Sequence, residues 1–246
     1  MQVQEAVLQA QKKSGIGSKQ PDLTARSLLE NWQQAVADSS LHPAYTCLGQ
    51  TLTYGEVDQL SRRVASYFQK KLKLSAGDRI AVQLPNLIQY PVVVVAAWKL
   101  GLVIVNTNPM YTVRELVHQF NDSGVKAVVV LDQFYETLCQ ALPDTSIEHV
   151  IVTRPVDLMP QPRNMLLSGA MKVMGKRPSL PRGQYIRFSE MLTGGTNYIA
   201  HKATIDDVCA LQYTGGTTGA SKGVMLTQSC LVSNIAQSLS VISILD

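Results

Sequence analysis

Between Arg79 and Thr153 four short, almost wholly apolar runs are separated by three stretches whose apolar residues fall at helical spacing. The runs are RIAVQL (Arg79 to Leu84), LVIVN (Leu102 to Asn106), AVVVL (Ala127 to Leu131) and HVIVT (His149 to Thr153). Strands that are apolar throughout are expected where both faces of a sheet are covered. Their alternation with helices predicts an α/β fold, a mostly parallel sheet with right-handed crossovers and helices on its flanks. Thr53 and Glu56 form a T-x-x-E capping box, followed by Val57, Leu60, Val64, Tyr67 and Phe68 at helical spacing. A second helix is expected from about Ile88 to Leu100, stopped by Gly101. Thr112 and Glu115 open a third, running to about Asp122, and a fourth covers Tyr135 to Ala141. The most apolar stretch, Pro91 to Val105, is too short to span a bilayer and is interrupted by Lys99 and Gly101. It reads as a buried helix running into a buried strand.

Composition narrows the function classes. The chain has 246 residues, 46% of them hydrophobic and 16% charged, which excludes a disordered polymer. That length supplies a real core without disulfide stapling. The formal charge of +4 is too mild to argue for nucleic acid. Cys47, Cys139, Cys209 and Cys230 form no C-x-x-C pair and are expected as free thiols in a reducing, cytoplasmic setting. The opening residues MQVQEAVLQAQKKSG are not expected to act as a secretory signal. His42, His118, His149 and His201 make no recognisable catalytic pairing and read as structural or surface residues, and Tyr111 reads as packing.

Beyond Thr153 the texture changes. Pro155, Pro160, Pro162, Pro178 and Pro181 crowd together, and Asp157 to Glu190 encloses Arg163, Lys172, Lys176, Arg177, Arg182 and Arg187 with no acid between. NMLLSGAMKVMGK within it has the pattern of a short basic amphipathic helix. One reading lays that helix on an anionic membrane surface; the other packs its apolar side on its own domain. Three segments are therefore expected: 1–154, an N-terminal α/β subdomain; 155–187, a Pro-rich basic insertion or linker; and 188–246, the start of a second α/β subdomain.

The chemistry is concentrated after the strand expected at Val208 to Tyr213. Gly215 to Gly223 holds four glycines, two threonines, a serine and a lysine. Glycines let backbone N–H groups approach an anion closely, and successive N–H groups in such a turn make a concavity for phosphate oxygens. Thr214, Thr217, Thr218 and Ser221 add hydroxyl donors, and Lys222 adds a point charge. The spacing is neither G-x-x-x-x-G-K-[ST] nor G-x-G-x-x-G, so neither a Walker loop nor a dinucleotide fold is indicated. A helix is expected from about Ser229, with Thr227 as its N-cap.

YTGGTTGASKGVMLT (Tyr213 to Thr227) closely resembles the phosphate-binding signature of the adenylate-forming enzymes: acyl-CoA synthetases, luciferases and adenylation domains. Its Gly-Gly variant is similar to bacterial long-chain fatty-acid–CoA ligases. TLTYGEVDQLSRRVA, GDRIAVQLPN, AAWKLGLVIVNTNPMYTVREL and HQFNDSGVKAVVV agree in order, so the resemblance covers roughly Leu23 to Leu226. Ser221 stands where proline is commonest and Gln228 where many members have histidine. The resemblance implies an incomplete N-terminal domain of an adenylate-forming enzyme. It implies ATP, Mg²⁺ and coenzyme A as cofactor or cosubstrates and a fatty acid as substrate, with the fragment alone unable to ligate. It assigns Lys222 and Thr214 to catalysis. Thr214, Thr217, Thr218 and Lys222 would contact phosphate, and Gly215, Gly216, Gly219 and Gly223 would shape the loop, with Tyr213, Ala220, Ser221 and Val224 completing the nucleotide site. No residue of the chain is assigned to a metal; the family's Mg²⁺-binding glutamate is expected beyond Asp246. Adenylation of an aryl or amino acid, and a non-catalytic nucleotide-binding or membrane-docking module, are the alternatives. A homodimer and peripheral contact with the inner membrane face stay open.

Overall fold

Both T-x-x-E boxes start helices, for the reason that makes the motif useful: each leaves two otherwise unpaired backbone donors satisfied. In a computed structural model, which describes residues 27–160, 164–167, 169, 185–214 and 221–242, Thr53 Oγ1 accepts from the Glu56 amide at 3.2 Å while Glu56 Oε2 accepts from the Thr53 amide at 2.8 Å. Thr112 and Glu115 repeat the arrangement.

In chain order, α1 spans Leu28–Ser39, and the hairpin β1 (Pro43–Cys47) and β2 (Gln50–Thr53) leads into α2 (Tyr54–Lys70). The repeating units follow: β3 (Arg79–Gln83), α3 (Gln89–Leu100), β4 (Val103–Asn106), α4 (Val113–Ser123), β5 (Val125–Leu131), α5 (Tyr135–Ala141) and β6 (His149–Thr153). After the Pro-rich stretch come β7 (Ile186–Arg187), α6 (Phe188–Met191), β8 (Val208–Thr214), β9 (Lys222–Thr227) and α7 (Gln228–Ile242). Thr227 Oγ1 accepts from the Cys230 amide, as an N-cap would.

Seven strands form one sheet in the order β7-β6-β5-β3-β4-β8-β9, parallel throughout except for the antiparallel pair β8–β9. That sheet crosses the composition boundaries at 154 and 188, since β8 pairs with β4 and β7 with β6. One sequence-based expectation needs correction. Lys222, Gly223 and Val224, read as loop, are the first residues of a strand. β8 pairs with β4 on one side and β9 on the other, and among the described residues β7 and β9 are the sheet's outer strands. Of the expected basic helix, residues 164–167 and 169 are helical, and the remainder lies outside the described residues.

Two apolar layers sandwich the sheet. Val57, Val64, Phe68, Val92 and Ala96 from α2 and α3 pack with Ile80, Ile104 and Val129 on one face. Leu116 and Phe120 of α4 and Leu138 of α5 pack with Ala81, Val105 and Val128 on the other. The faces alternate because successive strand residues point opposite ways. Crossover direction decides which helix goes where. The chain steps from β3 to β4 in one direction along the sheet and from β4 back past β3 to β5 in the other. Right-handed crossovers of opposite direction place α3 and α4 on opposite faces. A crevice therefore opens at the carboxyl ends of β3 and β4, the usual ligand position in such sheets.

The helix α3 carries a lysine in an otherwise apolar run. Lys99 is 1% exposed and its ammonium lies 2.6 Å from Asp58 Oδ1 on α2. The same carboxylate accepts from Trp32 Nε1 on α1 at 3.2 Å and from Arg62 Nε at 2.6 Å. Burial alone would raise the Asp58 carboxyl, but the bonds from Lys99 and Arg62 hold it below the usual range. One carboxylate thus ties three helices together. Gly101 ends α3 at φ +67°, and a Cβ there would collide with the His201 ring, so glycine answers both backbone and space.

Candidate active site

The carboxyl ends of β3, β4 and β8 surround an open cleft of about 420 Å³. Asn86, Tyr90, Asn106, Asn108, Tyr111 and Gln212 supply polar groups to it, and among the described residues none that lines it is charged. Tyr90 Oη donates to Asn106 Oδ1 at 2.8 Å, and Asn106 Nδ2 donates to Gln212 Oε1 at 3.0 Å. This chain links α3, β4 and β8 across the crevice, because Asn106 and Gln212 are register partners in the parallel ladder. On the far side Gln119 of α4 donates to the Asn106 carbonyl. Burial pushes the Tyr90 phenol above its usual range, so it stays a donor.

The glycine-rich segment leaves the sheet beside this cleft. Thr214 ends β8 and is exposed; Lys222 starts β9 as its register partner. The strand pairing therefore brings the two residues assigned to catalysis side by side. Among the described residues Lys222 makes no ion pair, and it is exposed at the strand end. Tyr213 lines the cleft and its hydroxyl donates to Asp122 Oδ2 at 2.5 Å. Burial and that carboxylate push the Tyr213 phenol well above its usual range. Gly223 lies against the same ring: a Cβ would come within 3.0 Å of it. The Ser221 carbonyl accepts from His118 Nε2 at 2.9 Å, and Val224 is exposed on β9. Gly215, Gly216, Thr217, Thr218, Gly219 and Ala220 lie outside the described residues.

Residues that sequence reasoning passed over are Tyr90, Asn106, Gln212 and His118. The first three carry no charge and fit no motif. The last makes no catalytic pairing in the sequence and reads as structural, although its place four residues before Asp122 on a helix puts both on one face. Tyr111 packs as expected and also lines the cleft.

The chain matches the family of AMP-binding enzymes over residues 32–244. This chain belongs to that family. Among its relatives, a long-chain-fatty-acid–CoA ligase of Escherichia coli O157:H7 is 37% identical over 215 residues, covering 86% of this chain and 38% of the relative. One of Haemophilus influenzae is 38% identical over 214 residues with the same coverage. The crystal structure of a long-chain-fatty-acid-CoA ligase from Archaeoglobus fulgidus superposes with a TM-score of 0.70 at 26% identity, covering 89% of this chain and 40% of that one. An anthranilate CoA ligase bound to anthranoyl-AMP shares the fold, with a TM-score of 0.68 at 17% identity. The AMP-binding enzyme chain described here thus spans about two-fifths of the length of these relatives. No helix among the described residues is long and apolar enough to cross a membrane, and none of their His, Cys, Asp and Glu side chains cluster as a metal site.

Proposed function

We propose that this chain serves ATP-dependent activation of a long-chain fatty acid. The fatty carboxylate attacks the α-phosphate of Mg·ATP, giving acyl-adenylate and pyrophosphate; the coenzyme A thiol then displaces AMP. A free carboxylate is a poor acyl donor, whereas the mixed anhydride carries a good leaving group. Catalysis is then positioning and neutralisation of phosphate charge. The observation that carries the reading is the juxtaposition of Thr214 and Lys222 at the mouth of the glycine-rich segment, with no ion pair to the lysine among the described residues. These groups fit a polyphosphate: a hydroxyl donor and a cation at adjacent strand ends, with Gly223 leaving the strand free of a side chain where it meets Tyr213. Tyr213–Val224 is the nucleotide-binding segment in this reading, and Mg²⁺ arrives with ATP. The identity to fatty-acid–CoA ligases supports a fatty rather than an aryl or amino acid substrate. Exposed Met165 and Leu166, at 66% and 67%, support peripheral contact of the 155–187 segment with a membrane, where such a substrate partitions.

The test is acyl-adenylate formation from ATP and a panel of fatty, aryl and amino acids, with Lys222→Ala beside the parent sequence. A charge-assisted contact contributes about 1.5–3 kcal/mol, so the variant should be roughly ten- to a hundredfold slower. An unchanged rate contradicts the assignment. ATP binding that Lys222→Ala leaves unchanged likewise contradicts it.

A further inference from the structure

Helix α4 touches both strands that flank the glycine-rich segment, and does so with residues one turn apart. Asp122 accepts from the Tyr213 hydroxyl, next to the end of β8. His118 Nε2 meets the Ser221 carbonyl at 2.9 Å, next to the start of β9. A carbonyl oxygen only accepts, so Nε2 carries the proton in this contact. The helix is itself fixed: Leu116 and Phe120 are buried in the core, the Thr112–Glu115 box closes its N-terminus, and Gln119 ties it to the Asn106 carbonyl. Gly223 adds a third contact by seating β9 against the Tyr213 ring that Asp122 holds.

We propose that His118 and Asp122 are positioning residues: α4 brackets the phosphate segment, holding the already paired ends of β8 and β9 in place and thereby the aim of Lys222. The inference rests on the reading that this segment receives the phosphates of ATP. Neither side chain need touch the nucleotide. The histidine grips the Ser221 carbonyl, the backbone immediately before Lys222. That grip survives any change in the Ser221 side chain, which suits a position where the sequence departs from the commonest pattern. A bracket also limits entropy: the cation is already placed when the polyphosphate arrives, so less ordering is paid on binding.

Two readouts on the 246-residue chain separate the bracket from the phosphate reading. ATP affinity is measured by calorimetry, and amide exchange is followed at Lys222–Val224 without nucleotide. His118→Phe keeps a ring but loses the donor; His118→Gln keeps a donor. His149→Phe is the control, because His149 Nε2 makes the same kind of contact, to the Leu72 carbonyl at 3.1 Å, away from the site. The expected result is that His118→Phe binds ATP about three- to tenfold more weakly and exchanges faster at Lys222–Val224, the loss of one hydrogen bond. His118→Gln recovers most of both, and His149→Phe moves neither. Parent-like exchange in His118→Phe, or no recovery in His118→Gln, overturns the bracket. A parent chain whose ATP affinity is unchanged by Lys222→Ala overturns the phosphate reading, while the exchange readout still decides the bracket.

Discussion

Lys99 and Lys222 carry the same ammonium group and sit in opposite surroundings. Lys99 is enclosed by α1, α2 and α3, bonded to a carboxylate that also serves Trp32 and Arg62. Lys222 stands at the tip of an outer strand with no carboxylate beside it among the described residues. A buried cation stays charged only when its partner is buried with it, so the whole interaction is spent on holding the fold. A cation presented without a partner contributes little to the fold and keeps its field for an anion that arrives from solution. The same difference runs through the two ends of the sheet. At the Lys99 side the ammonium, the indole and the guanidinium all meet one carboxylate, whereas the carboxyl ends of β3, β4 and β8 offer amides and hydroxyls to an open cleft.

The sharpest way to break this comparison is to remove each side's charge in turn. Asp58→Ala leaves Lys99 enclosed without a counterion and should cost about 3–5 kcal/mol in urea unfolding. Lys222→Ala should change stability by no more than about 0.5 kcal/mol. Equal losses would erase the distinction. A smaller effect is expected at Gly101, whose neighbouring Lys99 carbonyl accepts from the His201 amide. Gly101→Ala strains the left-handed cap and pushes the His201 ring aside, for about 1–3 kcal/mol. Gly77→Ala, at φ +85° with nothing within 4 Å of a Cβ, isolates the backbone share and should cost less. The smallest effect is acid dependence. The bond from His201 to Asp207 holds that carboxyl down to about 2. A carboxyl depressed in the folded state stabilises it above the unfolded value near 4, and that contribution fades as pH falls toward 2. Asp207→Asn should flatten stability over that window by a modest amount, since the pair is partly exposed, and leave ATP binding alone. A matching loss of ATP binding would show that the two ends are coupled.

Much of the fold could be read from residue pattern, and the physical reason is that the central strands are covered on both faces. HVIVT and the helix Tyr135–Ala141 coincide with the observed elements residue for residue. β5 begins two residues earlier than its apolar core, at Val125, because Lys126 is exposed within it and pairs with Asp78. The outer elements were the ones missed. β9 carries Gly223 near its start and an exposed Met225, so nothing in KGVMLT alternates in the way a half-covered strand should. The β1–β2 hairpin turns through Leu48 at φ +51° and Gly49 at φ +72°; the glycine suits the turn, but leucine stands where Asn or Asp would have marked it. The site was half legible. Lys222 and Thr214 lie in a motif, so their chemistry is visible in the residue order. Asn106 and Gln212 meet only because β8 returns to β4 after a hundred residues, and His118 meets Ser221 the same way; pairing of that range leaves no trace in local periodicity.

The most direct test of the account is amide exchange of the chain with and without ATP, read along the whole sequence. It predicts slower exchange at Gln212–Thr214, at Lys222–Val224 and along α4 from His118 to Asp122, with no change around Asp58 and Lys99. Exchange that ATP leaves unaltered at those strand ends, or slows only around the buried pair, would contradict it.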